Sequence, residues 1–79
     1  MLLIKLNTIE NAKDFCSVVN DPEYRDDDID LCVGIYVVDA KSILGILSMD
    51  LTKQLKVVFH GTGFQRRKEF FDKLNKWKI

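Results

Sequence analysis

The sequence holds little that would commit it to a familiar chemistry. No apolar stretch approaches the ~18 residues that a membrane-crossing helix needs. The opening Met1-Leu-Leu-Ile-Lys-Leu6 is too short for a signal peptide. Acidic and basic residues balance at 12 each, which weighs against strong nucleic-acid binding. The two cysteines, Cys16 and Cys32, fit no metal-ligand spacing, and each lies in an apolar run. They are expected to be small buried thiols of a protein in a reducing compartment. No internal repeat or low-complexity segment is present, and the one linker-like stretch is Asn20-Asp-Pro-Glu-Tyr-Arg-Asp-Asp-Asp28. These absences predict a cytoplasmic protein with no membrane association, no metal and no cofactor.

What is present describes one small domain over residues 1–79. A chain of this size buries only roughly 60–65% of its unfolded surface, so its core is modest. A hydrophobic content of 47% with 30% charged residues suits an ordered globular fold. The charge balance hides an asymmetry. Residues 1–40 carry three basic and nine acidic groups, and residues 41–79 carry nine and three. Either the halves attract each other within the fold, or the molecule turns one acidic and one basic surface to partners.

Alternation of Leu2, Ile4 and Leu6 predicts a first strand. Asn7 with Glu10 three residues on predicts a capped helix whose stripe is Ile9, Ala12, Phe15, Cys16 and Val19. Asp21-Pro22 should end it, because a residue preceding proline is pushed out of the helical region. Ile29–Val33 and Tyr36–Val38 read as strands around a turn at Gly34-Ile35. Ser42 should cap a short helix over 43–49, and Leu55, Val57 and Phe59 alternate as a fourth strand. Thr62 with Gln65 predicts a second capping box. A helix over 64–77 follows, with Phe64, the Arg67 stem, Phe70, Phe71, Leu74 and Trp77 inward and Arg66 facing water. The order β-α-β-β-α-β-α suits an α+β fold of two layers. A ferredoxin-like domain shares its first six elements.

The segment Lys41-Ser-Ile-Leu-Gly-Ile-Leu-Ser-Met49 resembles the K-S-I-M-G-L-M-S-L segment of HPr, the small phosphocarrier of the bacterial sugar phosphotransferase system. The similarity continues from Asp50 to Gly63, where a strand ends in glycine before the last helix. The resemblance implies an open-faced sandwich, with a four-stranded antiparallel sheet and three helices on one face. HPr proteins carry phosphate on a histidine in a Gly-x-His-x-Arg-Pro setting before the first helix. Here Leu6-Asn-Thr-Ile-Glu-Asn-Ala12 stands in that place, without His, Arg or Pro, in a shorter loop. Phosphohistidine chemistry needs an imidazole nucleophile and partners for the phosphate, so no catalytic residue is assigned. His60 lies in the fourth-strand region and is expected to face solvent or pair with a carboxylate.

The matching serine of HPr proteins from Gram-positive bacteria is modified by a dedicated kinase, which makes Ser42 a candidate regulatory phosphorylation site as well as a cap. The matching aliphatics form the HPr patch that meets enzymes and a transcription regulator. Ile43, Leu44 and Leu47 are therefore the expected partner surface. Asp26-Asp-Asp-Ile-Asp30 lacks the glycine and the terminal Glu of a calcium loop and reads as a solvated acidic loop. Arg66-Arg67-Lys68 reads as a solvated basic face. The expected function is that of a non-enzymatic, HPr-like protein working through contact with a phosphotransferase-system or transcription-regulator type of partner. The alternatives are a true phosphocarrier with an unusual acceptor, and a ferredoxin-like small-ligand-binding regulatory domain. Oligomeric state is left open.

Overall fold

The computed structural model describes residues 1–79. Strand β1 spans Leu2–Ile4 and helix α1 Ile9–Val19, followed by a 3-10 turn at Pro22–Tyr24. Strands β2 (Ile29–Val33) and β3 (Tyr36–Asp39) precede helix α2 (Ile43–Leu47). Strand β4 (Leu55–Phe59) leads to helix α3 (Phe64–Asp72), and a last 3-10 turn covers Asn75–Trp77. The strands form one sheet in the order β1-β4-β2-β3. Every pairing is antiparallel, with Leu31 opposite both Val57 and Val38 and Ile4 opposite Leu55. The fold is thus the expected α+β class with a four-stranded antiparallel sheet. Strands β1 and β2 both run antiparallel to β4, which lies between them, so β1-α1-β2 is a split β-α-β unit with its two parallel strands held apart.

Alternation sets the two faces of the sheet. Ile4, Ile29, Leu31, Leu55, Val57 and Phe59 are buried on one face, against Ala12, Phe15 and Val19 of α1, Ile46 of α2 and Phe70 of α3. Leu3 and Val37 stay exposed on the other face, beside Cys32, which neighbouring side chains bury apart from the main core. The chain turns between β2 and β3 in two residues, and Gly34 takes φ +57 at the first of them. A positive φ there matches the strand twist, and glycine adopts it without penalty. The outer edge of β1 is covered by the chain's own end: Ile4 bridges Lys78, and the Ile79 N–H donates to the Leu3 carbonyl at 3.2 Å. The edge of β3 is left open.

Several boundaries and caps differ from expectation, each for a local reason. Thr8, not Asn7, caps α1, with its hydroxyl accepting the Asn11 N–H at 3.0 Å. Asn7 instead sits at φ +69 inside a tight turn closed by the Thr8 N–H to the Leu6 carbonyl, so its side chain is displaced from the cap. That turn also leaves Ile9 largely exposed, and β1 ends at Ile4 although Leu6 is fully buried. Helix α2 stops at Leu47, where the Ser48 hydroxyl takes the Gly45 carbonyl at 2.6 Å. Helix α3 has no side-chain cap: Gly63 precedes it at φ +95, and Gln65 reaches forward to Glu69 instead of back. The expected single helix to residue 77 divides at Lys73–Leu74, which lets Trp77 fold under α1 and meet Phe15 edge-on at 5.8 Å.

The phase of α3 is also corrected. Arg66 is half-buried over the Phe59 ring, whereas Arg67 and Phe64 lie outside, Phe64 with 80% of its surface exposed. Phe70 takes the deep position, stacked on Phe59 at 5.0 Å and edge-on to Tyr24 at 5.0 Å. That three-ring cluster leaves no room behind it, since a Cβ on Gly61 would stand 2.5 Å from the Phe59 ring.

Two substitutions test this packing by chemical denaturation. Phe70→Ala should cost about 3–5 kcal/mol, and Phe71→Ala, at a half-buried position, clearly less. Equal losses at the two sites would show the helix phase to be wrong. Gly61→Ala should cost about 1–3 kcal/mol, because Phe59 must leave its stacked position.

Candidate functional site

Helix α2 is built by its cap and its underside. The Ser42 hydroxyl accepts the Gly45 N–H at 3.1 Å, so the serine is the N-cap that its position predicted. Ile46 and Met49 enter the core. Gly45 faces β3 so closely that an added Cβ would lie 3.2 Å from Val38 Cβ. Seating the helix on that side turns its other side out: Leu44 is 79% exposed, Leu47 37%, and Ile43 half-buried. Ile43, Leu44 and Leu47 thus sit together on one five-residue helix, with Ser42 exposed at its start. Tyr36 of β3 flanks the far end, its hydroxyl 2.7 Å from the Ser48 hydroxyl.

Lys41, just before the cap, has a role that its place in the motif did not reveal. Its ammonium donates to the carbonyls of Tyr24 and Asp27, both at 2.6 Å, and ties the acidic loop to the start of α2. The Lys41 carbonyl in turn accepts the Asn20 side-chain amide at 3.1 Å. The Lys41 ammonium is therefore already engaged with carbonyls beside Ser42. Cys16 and Cys32 are free and buried, and burial pushes both thiols above their ordinary range, so neither is a ready thiolate at neutral pH.

The charged runs are less solvated than expected. Asp27 accepts both Arg66 guanidinium nitrogens, at 2.7 and 3.1 Å, and its side chain is only 12% exposed. Arg66 also donates to the Glu23 carbonyl and lies 5.7 Å from the Phe59 ring centre. Lys73 reaches the Glu23 carboxylate at 3.3 Å and sits 4.9 Å above the Tyr24 ring. The acidic loop and the basic helix therefore attract each other inside the fold, the first of the two outcomes that the charge asymmetry allowed. The Arg66 hydrogen bonds hold the Asp27 carboxyl below its ordinary range, against the opposing effect of burial. The Tyr24 hydroxyl is buried with no hydrogen bond of ordinary geometry, and its interaction with the nearby Lys73 ammonium, together with that of Glu23, holds the Lys73 pKa above its ordinary value.

His60 has both features expected of it. It is half exposed, and its Nε2 lies 2.8 Å from Asp30 Oδ2. Asp30 stands opposite Asp39 across β2 and β3, and Asp28 and Asp39 line the same shallow cleft as His60. No three His, Cys, Asp or Glu side chains converge as metal ligands. The segment Leu6–Ala12 brings together a buried leucine, a tight turn and a helix cap, with Asn11 donating to the Leu6 carbonyl at 2.8 Å. No helix is long and apolar enough to cross a membrane.

Comparison with protein-family models finds no family that matches the chain. No curated protein and no solved structure matches it either. None of these comparisons supports the resemblance to HPr, which rests on Lys41–Met49, its continuation from Asp50 to Gly63 and the order of elements alone.

The ion pair gives a pH prediction. Because the Asp27 value is lowered by folding, its contribution is complete above the ordinary carboxylate value of 3.8 and is lost as pH falls through the lowered one. Asp27→Asn should be less stable than wild type at neutral pH, and the gap should narrow on acidification below that value. A gap that stays constant from neutral to acid pH would show that the pair does not carry the linkage. Tyr24→Phe removes a buried hydroxyl that makes no hydrogen bond of ordinary geometry and should hold or raise stability, by up to roughly 1 kcal/mol. A clear loss in denaturant would show that the hydroxyl has a partner.

Proposed function

We propose that this domain is a non-catalytic, HPr-like protein that acts through contact with another protein, and that α2 is its contact surface. The observation that carries the proposal is the exposure of Leu44 and Leu47 on a helix whose other side is already anchored by Ile46, with Met49 buried just beyond its end. Clustered aliphatic side chains at the surface of a small domain characteristically mark a partner site. The same segment carries the resemblance to HPr, whose matching patch meets phosphotransferase enzymes and a transcription regulator, and a partner of that type is the one proposed. No phosphocarrier step is assigned, since Leu6–Ala12 contains no imidazole and the single histidine is bonded to Asp30 on the sheet.

Ser42 is proposed as a regulatory phosphorylation site at the rim of this patch. Its exposure makes the hydroxyl accessible, and phosphate at a helix start is favoured by the free N–H groups there. The Lys41 ammonium is held by the loop carbonyls, so the modification would act by placing charge beside Leu44 and Leu47.

The test separates fold from contact. Ser42→Ala should lower stability by ~1 kcal/mol through loss of the cap, while Ser42→Asp should retain most of it. Leu44→Glu and Leu47→Glu should melt like wild type yet lose capture of a purified phosphotransferase-type or regulator-type partner, because a charge would be buried unpaired at the contact. Unfolding of both leucine variants would place these side chains in the core and remove the patch. A parallel incubation with labelled phosphoenolpyruvate and the general phosphotransferase enzyme should leave the protein unlabelled; acid-labile label on His60 would restore the carrier reading.

A further inference from the structure

Helix α3 has a second unpartnered face. Phe64 and Phe71 are seven residues apart, two helical turns, so they lie in line on one side, with Arg67 and Lys68 between them. With Asp72 these residues line a shallow groove of about 270 Å³ that is almost entirely apolar. Phe64 is 80% exposed, and Phe71 is half-buried against Phe70 at 5.7 Å. The phase of the helix causes this: Arg66 and Phe70 are committed to Asp27 and to the ring cluster, so Phe64 cannot also turn inward.

The charges on this helix divide into used and unused. Arg66 is paired with Asp27, and Lys73 with Glu23. Lys68 reaches Asp72 only at 3.4 Å, with both side chains well exposed. Arg67 makes no ion pair and stands exposed between the two phenyl rings. A guanidinium flanked by aromatic surface is matched by a carboxylate beside an apolar side chain.

We propose that this face of α3 docks a short amphipathic acidic peptide segment of a partner protein. One apolar side chain of the segment lies between Phe64 and Phe71, and an adjacent carboxylate pairs with Arg67. A nucleic acid fits less well. The groove offers a single unpaired guanidinium, and the chain as a whole has no net charge to attract a phosphate backbone. The site is separate from α2, and the proposal does not depend on the function proposed for that helix.

The experiment follows backbone amide resonances of the isotope-labelled full chain. It is titrated with a synthetic helical peptide bearing leucines on one face flanked by glutamates, and with its lysine-for-glutamate counterpart. The glutamate peptide should give saturable shifts centred on Phe64, Arg67, Lys68 and Phe71. Phe64→Ala and Arg67→Glu should each weaken it roughly tenfold or more, with melting temperatures unchanged because both side chains are exposed. Arg67→Glu should also gain affinity for the lysine peptide, which a merely structural role would not produce. Leu44→Glu should leave this titration unaltered. Equal binding of the two peptides, shifts confined to α2, preferential binding of a single-stranded oligonucleotide at α3, or the same shifts produced by raising the protein's own concentration would each overturn the proposal.

Discussion

A guanidinium that lies across a phenyl ring while gripping one carboxylate holds the two oppositely charged halves of this chain together. Arg66 comes from the basic second half and Asp27 from the acidic first, and the Phe59 ring beneath Arg66 belongs to the central part of the sheet. Arg66 offers two parallel donors, a geometry that a lysine could not reproduce. Much else follows from this contact. It sets the rotation of α3, which places Phe70 on Phe59 and Tyr24. It draws the 23–27 loop over the end of the core, and it requires Gly61 to have no side chain, since a Cβ there would lie 2.7 Å from Asp27 Oδ1. In a domain with so small a core, an aromatic cluster roofed by cations does work that extra aliphatic layers do in larger proteins.

The parts legible in the sequence were those governed by short-range periodicity. The alternation at Leu55–Phe59, the Ala12–Phe15–Cys16–Val19 stripe, the Gly34-Ile35 turn and the Ser42 cap each involve residues within a few positions of one another, and each appears where expected. What was misread depends on partners far along the chain. The local pattern turned the Arg67 stem inward and left Arg66 in water, and the pairing of Arg66 with Asp27, 39 positions away, reverses that choice. Likewise nothing near Lys41 announces that its ammonium will bind the carbonyls of residues 24 and 27. The Asn7 cap failed for a more local reason, a tight turn whose positive φ is not apparent from residue type alone.

The exposure of Leu44 and Leu47 on α2 has a related cause. A five-residue helix can bury only one side, and the run Ser42–Met49 contains more aliphatic groups than that side can hold. With Ile46 and Met49 in the core, Leu44 is left outside. The exposed Phe64 was not recoverable in this way, because aromatic residues at its spacing normally line a core and its exposure depends on the rotation that Asp27 imposes. Surplus hydrophobicity within one short element can be read from sequence. Hydrophobicity made surplus by a distant contact cannot.

The strand order has a bearing on how the chain reaches this structure. Only β2 and β3 are joined by a tight turn, so they are the one pair that can close cheaply and early. The strand β4 that completes the sheet pairs with both β1 and β2 across long intervals, and β1 is further sealed by the chain's last residues. Of these four strands the first in sequence is therefore among the last to find its neighbour. The sheet cannot be built stepwise along the sequence: β1 has no strand partner until β4, about fifty residues on, is present. Such non-local pairing slows folding relative to helical domains of equal length, and it makes the interval between synthesis and closure the period in which this small protein is most exposed to misassociation.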